Sequence, residues 1–237
     1  FERHMAKRVY LFNEGSKEDR DLLGGKGANL CEMTNLGLPV PFGFIITTST
    51  CREFFQAGNR LPNLLEQEYR VALDLIEKKM GTRFGDPDNP LLFSVRSGAP
   101  VSMPGMMNTI LNLGMNDEIT EGLARKTSNP RFAYDSYRRF IQMFADVVLD
   151  IDGRLFEGEI TRYKDAHSKP LDTDMTAEDW QAVIETFKSM ADFPQDPFEQ
   201  LKLAVQAVFL SWHTPRAIVY REMNNIPESL GTAVNVQ

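Results

Sequence analysis

Leu91-Leu92-Phe93-Ser94-Val95-Arg96-Ser97-Gly98-Ala99-Pro100-Val101-Ser102-Met103-Pro104-Gly105-Met106-Met107 joins an apolar run to an arginine and then to a segment of small residues. Residues 91–95, partly β-branched and bounded by Pro90 and Gly98, read as a buried strand. Arg96 then stands at the mouth of that strand. Small residues let a backbone approach a ligand closely, with N–H groups free to face anionic oxygens. A guanidinium offers phosphate oxygens a planar, bidentate fork that an ammonium cannot. Gly105 is the permissive point of the segment, Pro104 restricts its alternatives, and Met106 and Met107 either cover a ligand or pack down. The layout suits a polyphosphate. The residues alone also admit a plain turn, with Arg96 in an internal salt bridge.

Outward from this stretch, residues 1–115 alternate in type. Residues 8–12 and 42–47 read as strands, as do 109–113. Lys26 lies among Gly24, Gly25 and Gly27 and opens a helix carrying Leu30, Met33 and Leu36, which Gly37 stops before Pro39 and Pro41. Helices are expected over 50–57 and over 61–80, the latter from Leu64, Leu65, Val71, Leu75 and Ile76. The glycines leave the Lys26 ammonium room to reach into a cleft. No Ser or Thr follows the lysine and the glycine spacing differs from a Walker A loop. A glycine turn with a solvated lysine is the other reading.

From Asn116 the signals turn helical. Ala133, Tyr137, Phe140, Ile141, Phe144 and Val148 form one apolar stripe, Trp180, Val183, Ile184 and Phe187 a second, and Leu201, Val205, Val208, Phe209 and Trp212 a third. These aromatics are expected in the core. Thr176 with Asp179 is a weak capping box, and Thr214-Pro215 restarts a helix. Residues 153–174 are polar and expected to include loop, and 231–237 begin a strand. The pattern predicts an α+β subdomain over 1–115 plus 200–237 and a helical subdomain over 116–199.

With 237 residues, 42% of them hydrophobic, the chain can bury one large core or two small ones. No apolar run approaches the ~20 residues of a membrane span. A formal charge of −7 argues against a nucleic-acid partner. It leaves a nucleotide open, since a few cations in one cleft outweigh diffuse negative charge. Cys31 and Cys51 are too few for a disulfide framework or zinc site and point to a reducing compartment. Phe1-Glu2-Arg3-His4 lacks the apolar core of a signal peptide and reads as an appended remnant before a native start at Met5. Asp74, Glu77 and Asp86 read as solvated charges, so no metal site is expected.

Three stretches, in order, resemble one known family. Ser94 to Gly98, with Ser102 to Thr109 and Leu111-Asn112-Leu113-Gly114, is similar to the most distinctive segment of the pyruvate phosphate dikinase family. Leu22-Leu23-Gly24-Gly25-Lys26-Gly27-Ala28-Asn29-Leu30 resembles its N-terminal lysine motif, which phosphoenolpyruvate synthase shares. Asn129-Pro130-Arg131-Phe132-Ala133-Tyr134-Asp135-Ser136-Tyr137-Arg138-Arg139-Phe140 resembles the dikinases as well. The likeness runs from about Val9 to Gln237. It departs at Pro100, where relatives carry arginine or alanine, and at Asn108, where aspartate is usual.

The resemblance implies the front half of an ATP-grasp domain with a helical insertion, and hence a fragment of a longer cytoplasmic enzyme, organelle targeting of the parent remaining open. Lys26 and Arg96 match the family's phosphate-binding cations, and Ser102, Met103, Pro104, Gly105, Met106 and Met107 its glycine-rich loop. The implied partners are ATP and a phosphohistidine domain of the same parent, itself expected to be a homodimer. Arg131, Arg138, Arg139, Arg216 and Arg221 are a candidate docking face for that domain. Mg2+ is the implied cofactor, held by carboxylates beyond Gln237. His4, His167 and His213 lack the threonine-serine-histidine context of the family's nucleophile, so no catalytic residue is expected here and the fragment alone is expected to be inactive. The rivals are a phosphoenolpyruvate synthase fragment, whose likeness to the 102–107 loop is poor, and a non-catalytic nucleotide-binding regulatory module.

Overall fold

The computed structural model describes residues 6–106 and 109–237. His4 and the expected remnant lie outside the described residues, as do Met107 and Asn108. The chain opens with β1 (Val9–Leu11), α1 (Arg20–Asn35), β2 (Phe44–Ile46), α2 (Thr48–Gln56) and α3 (Leu65–Met80). Short strands β3 (Arg83–Phe84), β4 (Pro90–Leu91), β5 (Phe93–Gly98) and β6 (Ile110–Leu113) follow. Helices α4 (Asp117–Thr127), α5 (Pro130–Val147), α6 (Gly153–Ala166), α7 (Ala177–Met190), α8 (Pro197–Ser211) and α9 (Pro215–Met223) lead to a last strand, β7 (Ala233–Val236).

Two compact units emerge. The first comprises 1–81, 94–109 and 204–237, the second 82–93 and 110–203. These limits differ from the boundaries read in the sequence, because 82–93 and 110–115 pack with the helical unit. Leu91 and Leu92, for instance, lie against Gly114.

In the first unit, β1, β2, β7 and β5 form an antiparallel sheet in that order. Residues opposite one another in such a ladder share a face. Ile45 pairs with Asn235, and both crowd Gly27 of α1, so α1 covers that face. Phe44, one residue along, points the other way and stacks on Tyr69 of α3 with centroids 6.2 Å apart. Phe12, Leu23, Cys31, Ile45 and Ala233 form the core beneath α1.

The strand expected over 91–95 is two strands. Leu92 interrupts β4 and β5, and β5 continues through Arg96 to Gly98 because β7, far along the chain, supplies its ladder. Arg96 therefore lies within a strand rather than beyond its end. In α3 the buried residues are Leu65, Tyr69, Ala72, Leu73 and Ile76, while Leu64, Val71 and Leu75 are exposed. Tyr69 and Ala72, not counted in the stripe, turn the apolar face.

The second unit is organised by α5, which packs on α4, α6, α7 and β6. Asn129 caps it, accepting from the Phe132 N–H at 3.1 Å, and Pro130 occupies its first turn. Phe140, Phe144 and Phe193 meet edge-on or tilted with centroids 5.6–5.7 Å apart. The polar stretch 153–174 holds helix α6, whose Phe156 and Ile160 are buried; Phe156 meets Phe187 edge-on at 4.9 Å. Two apolar residues one turn apart suffice to dock it.

Candidate functional site

The glycines before Lys26 do a packing job. At Gly24 the backbone leaves the helical region (φ 73, ψ 169), and a Cβ there would stand 2.1 Å from the Gly98 carbonyl oxygen. Only a residue without a side chain permits that approach. The Gly25 N–H donates to the Ala99 carbonyl at 3.0 Å, and Arg20 Nε donates to the Pro100 carbonyl at 2.7 Å. The start of α1 is thus fastened to the segment that follows β5.

Between them lies a cleft of about 300 Å3, walled by Arg20, Gly25, Lys26 and Asn29 on one side and by 97–99 and 101–106 on the other. Lys26, Ser102, Met103, Pro104, Gly105 and Met106 all line it. Among the described residues, none of the backbone N–H groups of Val101, Ser102, Met103, Gly105 and Met106 donates a hydrogen bond. Met103 and Met106 are half-buried, Ser102 and Gly105 exposed.

Arg96 is placed differently. It pairs with Asn235, whose amide abuts Gly27 and Gly98, so its exposed side chain shares the α1 face of the sheet with Lys26 without lining the cleft. Asn235 itself is 1% exposed, and neither atom of its amide has a partner among the described residues. An unpaired buried amide costs ~1–3 kcal/mol, a burden more often found at sites than in plain cores. Asn235 was not singled out from the sequence, although one polar residue in Ala233-Val234-Asn235-Val236 is a readable signal.

The charges of this unit separate into two sets. Arg8 meets Glu53 and Glu68 at 2.7 and 2.9 Å, Arg52 donates to Ser229 and Leu230 carbonyls, and Arg221 lies over the Trp212 ring at 4.2 Å. Among the described residues Lys26, Arg96 and Arg216 have no carboxylate, carbonyl or ring partner. All three stand on α1, β5 or α9 of the same unit, and an unpaired cation beside unpaired N–H groups is suited to an anion.

Other chemistry is not assembled here. No carboxylate lines the cleft, so its residues do not fit a Mg2+ ligand set, and no cluster of three His, Cys, Asp or Glu among the described residues could hold a metal. Burial pushes the Cys31 and Cys51 thiols up to about 11, leaving them protonated and poorly nucleophilic. His213 stacks on Phe55 and His167 on Tyr163, both with centroids at 3.9 Å. The arginine docking face is revised: Arg138 and Arg221 are buried against Trp180 and Trp212, and Arg131 donates to the Met175 and Asp172 carbonyls.

The chain matches the family model described as the pyruvate phosphate dikinase AMP/ATP-binding domain over residues 20–76 and 58–237. It is 53% identical to the pyruvate, phosphate dikinase of Clostridium symbiosum over 240 residues, which is 98% of this chain and 28% of that protein. It is 51% identical to the chloroplastic enzyme of Mesembryanthemum crystallinum over 98% of this chain and 25% of the relative, and 50% identical to that of Giardia intestinalis over 98% and 28%. The chain therefore spans about a quarter of the length of the curated relatives it matches. No helix among the described residues is long and apolar enough to cross a membrane. Matched by that model over residues 20–237 and by these relatives over 98% of its length, the chain belongs to the pyruvate phosphate dikinase AMP/ATP-binding domain family.

Proposed function

We propose that this chain is the ATP-binding part of a pyruvate phosphate dikinase, with the α1–β5 cleft as the seat of the triphosphate. One observation carries the reading: Lys26 and residues 101–106, five of whose N–H groups make no hydrogen bond among the described residues, line a single cleft that has no carboxylate in its walls. Lys26 supplies a point charge, and Arg96, on the same sheet face, a bidentate fork for phosphate oxygens leaving the cleft. The first unit then forms one half of an ATP-grasp, in which the nucleotide is held against a second α+β body. Carboxylates outside this chain supply the Mg2+ ligands.

In the parent, a histidine of another domain attacks the β-phosphorus of ATP. The bond to the α-phosphate oxygen breaks, AMP leaves, and the histidine carries a pyrophosphoryl group. Inorganic phosphate takes the terminal phosphoryl group as pyrophosphate, and the remaining phosphohistidine phosphorylates pyruvate to phosphoenolpyruvate. Such transfers depend on positioning and charge neutralisation, the roles given to Lys26 and Arg96. The identity of 50–53% to dikinases over 98% of this chain favours this over a phosphoenolpyruvate synthase fragment.

The test separates the half-reactions. In the full-length parent, Lys26→Ala and Arg96→Ala are each expected to slow AMP formation from ATP at least ~100-fold, one lost charge-assisted contact per variant being worth ~3 kcal/mol in a dry site. Phosphate exchange between pyruvate and phosphoenolpyruvate, measured with labelled pyruvate, should stay within twofold of wild type, roughly the noise of ~0.4 kcal/mol. Equal loss of both half-reactions counts against the assignment.

A further inference from the structure

Arg216 is an arginine held against a glycine. At Gly105 (φ 68) a Cβ would stand 2.7 Å from Arg216 Nη2, 3.2 Å from Cζ and 3.5 Å from Nη1. Three atoms of one planar group cannot all crowd that point unless the guanidinium lies against the glycine. Its base is firm. Thr214 caps α9, accepting from the Ala217 N–H at 3.3 Å, Pro215 fills the first turn, and Ala217 is buried. Further along, the Arg221 guanidinium lies over the Trp212 ring, whose Nε1 donates to the Glu228 carbonyl at 2.9 Å.

Gly105 lines the cleft and Arg216 does not, so the arginine supports the turn from outside. Arg216 is exposed and, among the described residues, has no ion pair or hydrogen bond. We infer that Arg216 is a positioning residue that seats the Pro104–Gly105 turn, and so fixes where the free N–H groups of the loop stand over the cleft. A chain of phosphates spans several of those groups, whereas a single phosphate meets one end of the row. Arg216 thereby confers preference for polyphosphates over monophosphates. The inference rests on the cleft being a polyphosphate site. A lysine cannot replace the arginine, because an ammonium has no planar face to lie against a backbone.

The test titrates the 237-residue chain with ATP, tripolyphosphate and AMP by calorimetry, using wild type, Lys26→Ala, Arg216→Ala, Arg216→Lys and Gly105→Ala. Arg216→Ala is expected to bind ATP and tripolyphosphate about tenfold more weakly, the scale of one hydrogen bond from a loop N–H that the unseated turn no longer aims, and AMP unchanged. Arg216→Lys should not restore the loss. Gly105→Ala, whose methyl displaces the guanidinium, should reproduce it. The melting temperature of the arginine variants should match wild type, since the side chain is exposed. Wild-type affinity in Arg216→Ala, equal weakening toward AMP, or full rescue by lysine overturns the inference. If only Lys26→Ala weakens tripolyphosphate binding, the cleft assignment stands and the role of Arg216 falls. If wild type binds neither ATP nor tripolyphosphate, both fall.

Discussion

Arginines of one chain meet opposite fates in its two units. In the helical unit, Arg138 is 6% exposed, donates to Asp135 at 2.8 Å, reaches Asp172 at 3.4 Å, and lies over the Trp180 ring at 4.2 Å. In the sheet unit, Arg96 and Arg216 are exposed and have no partner among the described residues. A buried charge must be paired, or folding bears its full desolvation, whereas an exposed charge contributes little to stability and is free for a ligand. Arg138 holds the second unit together, whereas Arg96 and Arg216 leave their charge to solvent. The third stretch that resembles the dikinases, 129–140, falls on the structural side of that division.

The comparison breaks most sharply at Arg138. Arg138→Ala is expected to cost ~3 kcal/mol in urea unfolding by opening space beside Trp180 and leaving Asp135 to the exposed Arg139, whereas Lys26→Ala should stay within ~0.5 kcal/mol. A smaller loss at Arg138 than at Lys26 would reverse the division. Gly24→Ala comes next. Its methyl meets the Gly98 carbonyl and its φ is unfavourable, so ~2 kcal/mol of stability and much of the ATP affinity should go together. Calorimetry and unfolding on one sample check whether the two losses coincide.

The smallest effect is one of pH in the helical unit. Burial alone would raise the Asp179 carboxyl, but hydrogen bonds from Lys169, Thr176 and Tyr163 (the last at 2.7 Å) hold it well below its ordinary 3.8. A pKa lowered in the folded state means that the unfolded chain binds the proton more readily. The Asp179 contribution is therefore complete above that ordinary value and fades as pH falls below it. Unfolding curves from neutral pH down to about pH 3 should steepen in wild type and flatten in Asp179→Asn. Identical slopes would show that the network carries no proton linkage.

Local chemistry made much of this readable. Thr176 with Asp179 and Thr214 with Pro215 cap helices as their residue types demand. The lysine–glycine motif and the loop after β5 read as two parts of one site, and Lys26 and 102–106 do line one cleft, although Arg96 does not. What stayed hidden depends on partners distant in sequence. The run through Arg96 becomes a strand because β7 pairs with it, and Asn235 reaches the α1 face only through that register. Arg138 and Arg221 read as wet arginines because nothing local reveals the indoles beneath them. Helix α6 escaped because its docking needs only Phe156 and Ile160.

Gly24 and Gly98 meet as bare backbone, with no side chain between them. A seam of that kind has no rotamers, so it cannot slacken by repacking as an apolar contact does. The lysine and the strand that carries Arg96 are then one rigid jig, and the spacing between their two cations is set when the chain folds. Any give in the cleft falls to residues 101–106, where the N–H groups of Val101, Ser102, Met103, Gly105 and Met106 are uncommitted among the described residues.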